Sequence, residues 1–125
     1  MVIADTSVWI EFLNYREPIF SHFLQFSEKM KIIPLDCVFG ELLQGAKAET
    51  EIEEILDLWH SGPKLLTSEF WIDAGIFSAR HKMADRGVGI IDAVIITAAR
   101  QQEAQIWTLD KKMMRVLSPH EIFKP

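Results

Sequence analysis

Several common devices are missing from this chain, and each absence narrows what it can do. There is one cysteine, Cys37, so no internal disulfide can form, and no CxxC or Cys/His cluster offers zinc its usual ligand spacing. Cys37 reads as a small core residue in a reducing compartment. No segment approaches the roughly 20 apolar residues of a membrane span. The amino terminus carries no basic region and its first apolar run breaks at Asp5, so a cytoplasmic protein is expected. Positive charge is also short: 13 Lys and Arg face 18 acids, a net charge of -5. That balance counts against holding nucleic acid mainly by bulk electrostatics, which depends on many cation–phosphate contacts, so any nucleic acid would need local help. The four histidines, His22, His60, His81 and His120, show no catalytic spacing. Repeats, low-complexity tracts and long linkers are lacking too.

What is present is a core. With 125 residues and 49% hydrophobic content, the chain suits one compact domain spanning 1–125. Val2, Ile3 and Ala4 read as a buried strand running into a helix whose apolar residues include Val8, Trp9, Ile10 and Phe12, its first turn capped by Thr6 or Ser7. PIFSHFLQFSEKM suits an amphipathic helix entered at Pro18. KIIPL reads as a short strand, Asp36 as a cap for the helix that follows, and TEIEEILDLWH as a further helix stopped by SGP. KLLT is a third strand. SEFWIDAGIFSARHKMADRG is expected as one long serine-capped helix ending at Gly87. IIDAVIITAARQQ, apolar nearly all round, is a buried helix, QIWTLD a strand, and a last strand is placed around Val116 and Leu117. Such alternation predicts an α/β fold with a mostly parallel sheet of four or five strands between helical layers.

Four acids stand out on this sketch. Asp5 and Asp110 each follow a strand, whereas Glu41 and Asp92 lie in helical segments dominated by apolar residues. Ligands of open α/β sheets bind at the carboxyl ends of strands. Each acid has an ordinary explanation: a helix cap for Asp5, a surface position for Glu41, the helix dipole for Asp92, a turn for Asp110. Gathered at one edge they would repel one another and titrate upward unless a cation joined them. An all-oxygen set suits Mg²⁺ or Mn²⁺ rather than zinc. Such an ion would also let an acidic protein bind a polyanion.

Four stretches, VIADTSVWIEFL, FGELLQGA, GIIDAVIITAA and IWTLDKKM, cover the chain in order and resemble the PIN-domain ribonucleases, in particular the VapC-like toxins of type II toxin–antitoxin pairs. The resemblance implies a three-layer α/β/α PIN domain and a Mg²⁺- or Mn²⁺-dependent endoribonuclease cutting RNA such as tRNA or rRNA. It also implies a VapB-like antitoxin as partner and a homodimer, with no membrane involvement. The family's acidic site falls on Asp5, Glu41, Asp92 and Asp110, with Thr6, Ser7 and Thr108 as neighbouring hydroxyls. One departure is visible: many relatives continue the last motif as Asp-x-Asp-Phe, and here Lys112 replaces the second acid.

Other classes fit less well. A receiver-type domain needs an acidic pair where Thr6 follows Asp5, and a haloacid-dehalogenase-like phosphatase needs Asp-x-Asp where Ser7 stands. A PIN-like module that only binds another protein remains compatible with the sequence. Helix residues Phe20, Phe23, Leu24 and Trp59 are candidates for core or interface, and Arg80, Arg86 and Arg100 for contacts to RNA or to antitoxin acids.

Overall fold

A computed structural model describes residues 1–29 and 31–125. Met30, the end of the second expected helix, lies outside the described residues. Strand β1 (Val2–Ala4) is buried along its length, as a central parallel strand requires, and pairs in parallel with β2 (Gln105–Trp107). The register aligns Val2 with Gln105, Ile3 with Ile106 and Ala4 with Trp107. Three further parallel bridges, Val2–Ile32, Leu35–Leu65 and Ile106–Ile122, extend the pairing outward. Five chain segments therefore run side by side, with β1 and β2 central.

The flanking segments make bridges rather than ladders for a local reason. Pro34 has no N–H to donate, and Leu65 N donates to its carbonyl at 2.9 Å, so pairing in 31–35 passes from one neighbour to the other within a few residues. The last expected strand is displaced. Val116 ends helix α7 (Lys111–Val116), Leu117 caps it, and Ile122 makes the bridge, with Phe123 N donating to Ile106 O at 2.8 Å. Apolarity at 116–117 marked residues buried beneath a short helix, which a brief run cannot distinguish from a strand.

Helices α1 (Thr6–Leu13), α2 (Ile19–Glu28), α3 (Asp36–Gln44) and α4 (Glu49–His60) pack in succession, and α5 (Trp71–Arg80) packs on α6 (Ile90–Gln101). Both α1 and α6 touch β1. An aromatic cluster joins the first group to the sheet: Trp9 meets Phe23 at 4.6 Å and Phe39 at 4.8 Å, and Phe23 stacks 5.9 Å from Trp107. Phe20 stacks on Phe12 and Trp59 lies against Phe39. Of the residues considered for an interface, only Leu24 is exposed.

The expected long helix is divided. Phe70, not Ser68, occupies the N-cap of α5, and the helix stops at Arg80. Lys82 takes a left-handed backbone (φ 51°), a 3-10 turn spans Ala84–Arg86, and Gly87 (φ 79°) redirects the chain into α6. Amphipathic spacing ran on through 81–86, and only the turn itself decides where the helix breaks.

Candidate active site

Asp5, not Thr6 or Ser7, caps α1: its Oδ1 accepts the Val8 amide at 3.2 Å. The two hydroxyls instead serve acids. Ser7 Oγ donates to Asp5 Oδ1 at 2.5 Å, and Thr6 Oγ1 donates to Glu41 Oε1 at 2.6 Å, tying the start of α1 to α3. Thr108 Oγ1 donates to Asp5 Oδ2. Asp5 and Thr108 are each only 4% exposed. Buried polar groups require such partners, and Asp5 has one for each oxygen.

The ends of the two central strands are stitched together by the same groups. Asp5 N donates to Trp107 O at 3.0 Å, Leu109 N to Ser7 Oγ at 3.0 Å, and Asp110 N to Thr108 Oγ1 at 3.0 Å. Asp110 then caps α7 by accepting the Lys112 amide at 2.8 Å. Asp5 thus does what its ordinary reading assigned, whereas Asp110, expected in a turn, caps a helix. A capping carboxylate uses only part of its acceptor capacity.

Electrostatics bring all four acids into one neighbourhood. Burial, then the charges of Asp5, Asp110 and Glu41, push the Asp92 carboxyl up to about 6. Burial raises Asp5 as well, opposed by its bonds from Ser7, Thr108 and Val8, with Asp110 adding repulsion. Among the described residues no group of three or more acid, histidine or cysteine side chains is arranged, as it stands, to hold a metal ion. The Asp5 and Asp110 carboxylates are each engaged at a helix N-cap, and the Glu41 carboxylate is engaged by Thr6 of α1. The donors nevertheless fit a hard divalent cation in kind: they are oxygen atoms only, and two of the carboxyls, Asp5 and Asp92, are raised by burial and by neighbouring acids, a penalty such an ion relieves.

Asp36, a fifth strand-end acid, is accounted for structurally. Its Oδ1 accepts from Cys37 N at 2.8 Å, Thr67 N at 3.0 Å and Thr67 Oγ1 at 2.7 Å, clamping α3 to the neighbouring segment. It lies within α3's first turn, after Leu35 at the N-cap, and not at the cap itself. Burial lifts the nearby Cys37 thiol to about 11, away from the thiolate form that acts as nucleophile.

A model of the PIN domain matches residues 2–117. The chain belongs to the PIN domain family. Its fold is shared with toxins from bacterial toxin–antitoxin systems. VapC20 of Mycobacterium tuberculosis, a sarcin-ricin loop cleaving toxin, superposes with a TM-score of 0.73 at 14% identity, over 98% of this chain and 98% of that one. A toxin–antitoxin complex from Klebsiella pneumoniae gives 0.71 at 15%, over 98% and 100%. VapBC2 of Rickettsia felis, bound to a DNA fragment from its promoter, gives 0.68 at 17%, over 99% and 98%. No curated protein matches the PIN chain in sequence. Identities this low establish the fold alone. Within the PIN chain no described helix is long and apolar enough to cross a membrane.

Of the arginines considered for partner contacts, Arg100 is already engaged. Its Nε donates to Glu121 Oε2 at 2.8 Å and its guanidinium lies 4.9 Å from the Phe77 ring centroid. The Arg100 hydrogen bond holds the Glu121 carboxyl below its ordinary value. A depressed folded pKa adds stability above the unfolded pKa that is lost as pH falls through the folded one. Because Arg100 is largely exposed, Arg100→Gln should cost no more than about 1 kcal/mol in urea melts at neutral pH. The difference should shrink as pH falls below the ordinary glutamate range.

Proposed function

We propose that this PIN chain is a Mg²⁺- or Mn²⁺-dependent endoribonuclease and the toxin of a toxin–antitoxin pair. The supporting observation is the raised Asp92 carboxyl: burial, and then the charges of three other acids, disfavour its ionised form, a penalty that a bound cation would offset. In this reading Asp5, Glu41 and Asp92 hold the ion and Asp110 holds it or a water on the far side. When bound, such an ion activates water and stabilises charge on a phosphate undergoing in-line displacement. Ser7 and Thr108 keep both Asp5 oxygens oriented, and Asp110, fixed at the amino end of α7, is positioned to orient water toward the phosphate. The cut leaves a 5′-phosphate and a 3′-hydroxyl. Cleavage of the sarcin-ricin loop by a protein of this fold supports a structured RNA as substrate.

The antitoxin reading is supported by a groove of about 540 Å³ between α1, α3 and α4, with Ile10, Leu13, Leu42 and Ile55 among its walls and Glu41 at its margin. A segment that folds on binding by burying apolar residues suits such a groove. An occupant there abuts the acidic cluster and competes with RNA. For the homodimer, the outer face of α5 is a better candidate than the aromatics of α2: Ile72 is 77% exposed, and Ile76, one turn further on, is exposed too.

The test is direct. Purified protein should cleave RNA with Mn²⁺ and stop in excess chelator, and its expression alone should arrest growth until an antitoxin is supplied. Undiminished cleavage in chelator would overturn metal dependence. Absence of both cleavage and arrest would favour a PIN module that only binds protein.

A further inference from the structure

Two basic stretches far apart in sequence, one holding Arg80, His81, Lys82 and Arg86 and the other Lys111, Lys112 and Arg115, meet at Gly87. Its backbone is left-handed (φ 79°), and the space beside it is filled by Lys112: a Cβ built on Gly87 would stand 2.8 Å from Lys112 Cδ and 3.4 Å from Cε and Nζ. The lysine stem therefore lies across the turn that follows Arg86 and leads through Gly89, the N-cap of α6, toward Asp92. Lys112 itself leaves the first turn of α7, capped by Asp110. Its ammonium is thus set beside the Gly87 turn, three residues ahead of α6.

Nothing in the folding of α7 calls for positive charge here. Lys111 and Lys112 occupy a first helical turn, where the backbone dipole favours acids, and no acid is present in that turn. Arg115 lies four residues from Lys111 and three from Lys112, a spacing at which like charges repel. All three are exposed, as is Arg86. Among the described residues the ion pairs are Arg16–Glu11 and Arg100–Glu121, so no carboxylate neutralises these cations. In a chain of net charge -5, such a local concentration is what a polyanion would need.

We propose that Lys112, held over Gly87, and the adjacent Arg86 form a cationic edge that grips RNA phosphates flanking the bond to be cut. The identity of the polyanion rests on the ribonuclease reading. A side-chain cation then stands where many PIN relatives place a further acid, so that substrate affinity comes from the protein itself as well as from the metal.

The experiment measures binding of a labelled, mixed-sequence single-stranded RNA 20-mer by fluorescence anisotropy across a KCl series, with chelator present. Cleavage is then off, and only side-chain cations neutralise phosphate. Lys112→Met keeps the stem and removes the charge. It should weaken binding roughly three- to tenfold, flatten the salt dependence by about 0.7 for one lost single-strand phosphate contact, and leave the melting temperature unchanged. Arg86→Met should behave alike, and Lys112→Arg should bind as wild type. Gly87→Ala, whose methyl displaces the Lys112 stem, should also lose affinity. Lys64→Met is the control, because Lys64 precedes Leu65 at the amino end of its sheet segment and sits over the Trp59 ring. Unchanged affinity and slope in Lys112→Met, or an equal loss in Lys64→Met, overturns the proposal. So does a wild-type protein that binds no RNA under these conditions. Mn²⁺-dependent cleavage assayed in parallel shows separately whether the ribonuclease reading stands.

Discussion

Asp92→Asn is expected to lower Mn²⁺-dependent RNA cleavage by roughly 10²–10³-fold, the scale on which removal of one group stabilising transition-state charge acts. It should also abolish growth arrest, with soluble protein undiminished. The amide keeps the shape of the carboxylate and removes its charge from a site already crowded by Asp5, Asp110 and Glu41. The same substitution should therefore raise the melting temperature of the metal-free protein at neutral pH, by about 3–5 °C for each kcal/mol of relieved repulsion. Loss of activity through unfolding would instead lower it. Cleavage assays and thermal melts on one preparation separate the two, and undiminished cleavage would remove Asp92 from the site. Asp110→Asn should be milder, because Asp110 also caps α7 and its motif already departs from that of relatives at Lys112.

Metal addition is the second large effect. At a hundred times its dissociation constant, Mn²⁺ should stabilise the wild-type fold by about 2.7 kcal/mol, because the folded chain binds the ion and the unfolded chain scarcely does. Chelator should reverse the shift. Asp5→Asn and Asp92→Asn should respond much less, and equal shifts in all three proteins would mean that these acids share no ion. The pH dependence of the metal-free protein follows from the same crowding. Asp92 is raised from 3.8 to about 6, so between those values the folded state binds more protons than the unfolded state. Apo stability should rise as pH falls from neutral through about 6, and the gain should be complete near the unfolded value of about 4. Mn²⁺ should flatten that slope by keeping the carboxyl ionised, and calorimetric melts across this range with and without the ion would check it.

Much of the fold is legible before any coordinates. Helices at Ile19–Glu28 and Glu49–His60 follow from periodicity because burial of one face dictates the pattern, while Val2–Ala4, Ile106–Trp107 and the helix Ile90–Gln101 follow from near-continuous apolarity that burial on several sides demands. The misses have local causes. Asp5 caps α1 while Thr6 and Ser7 turn to other acids, which depends on what lies opposite each hydroxyl. The break after Arg80 depends on a left-handed residue at Lys82, a position where composition gives no warning. Ile122 replaced Val116 and Leu117 at the sheet edge because two apolar residues under a helix look like two in a strand.

The candidate site divides in the same way. Residue types and their order mark Asp5, Glu41, Asp92 and Asp110 as candidates, although each acid taken singly has an ordinary explanation. They also expose Lys112 as a departure. They leave undecided which acid is free and which is engaged, since that depends on contacts between residues distant in sequence. Only the fold separates Asp36, clamped by Thr67, from Asp92, raised by burial and by three acids brought in from the end of β1, from α3 and from beyond β2. Only the fold lays the Lys112 stem across Gly87, bringing a cation from one basic stretch onto the turn that carries Arg86 from the other. The physical reason is range: burial patterns act within one helix or strand and are written in consecutive residues, whereas Coulomb repulsion and hydrogen bonding depend on distances that the chain acquires when its sheet and helices close around the core.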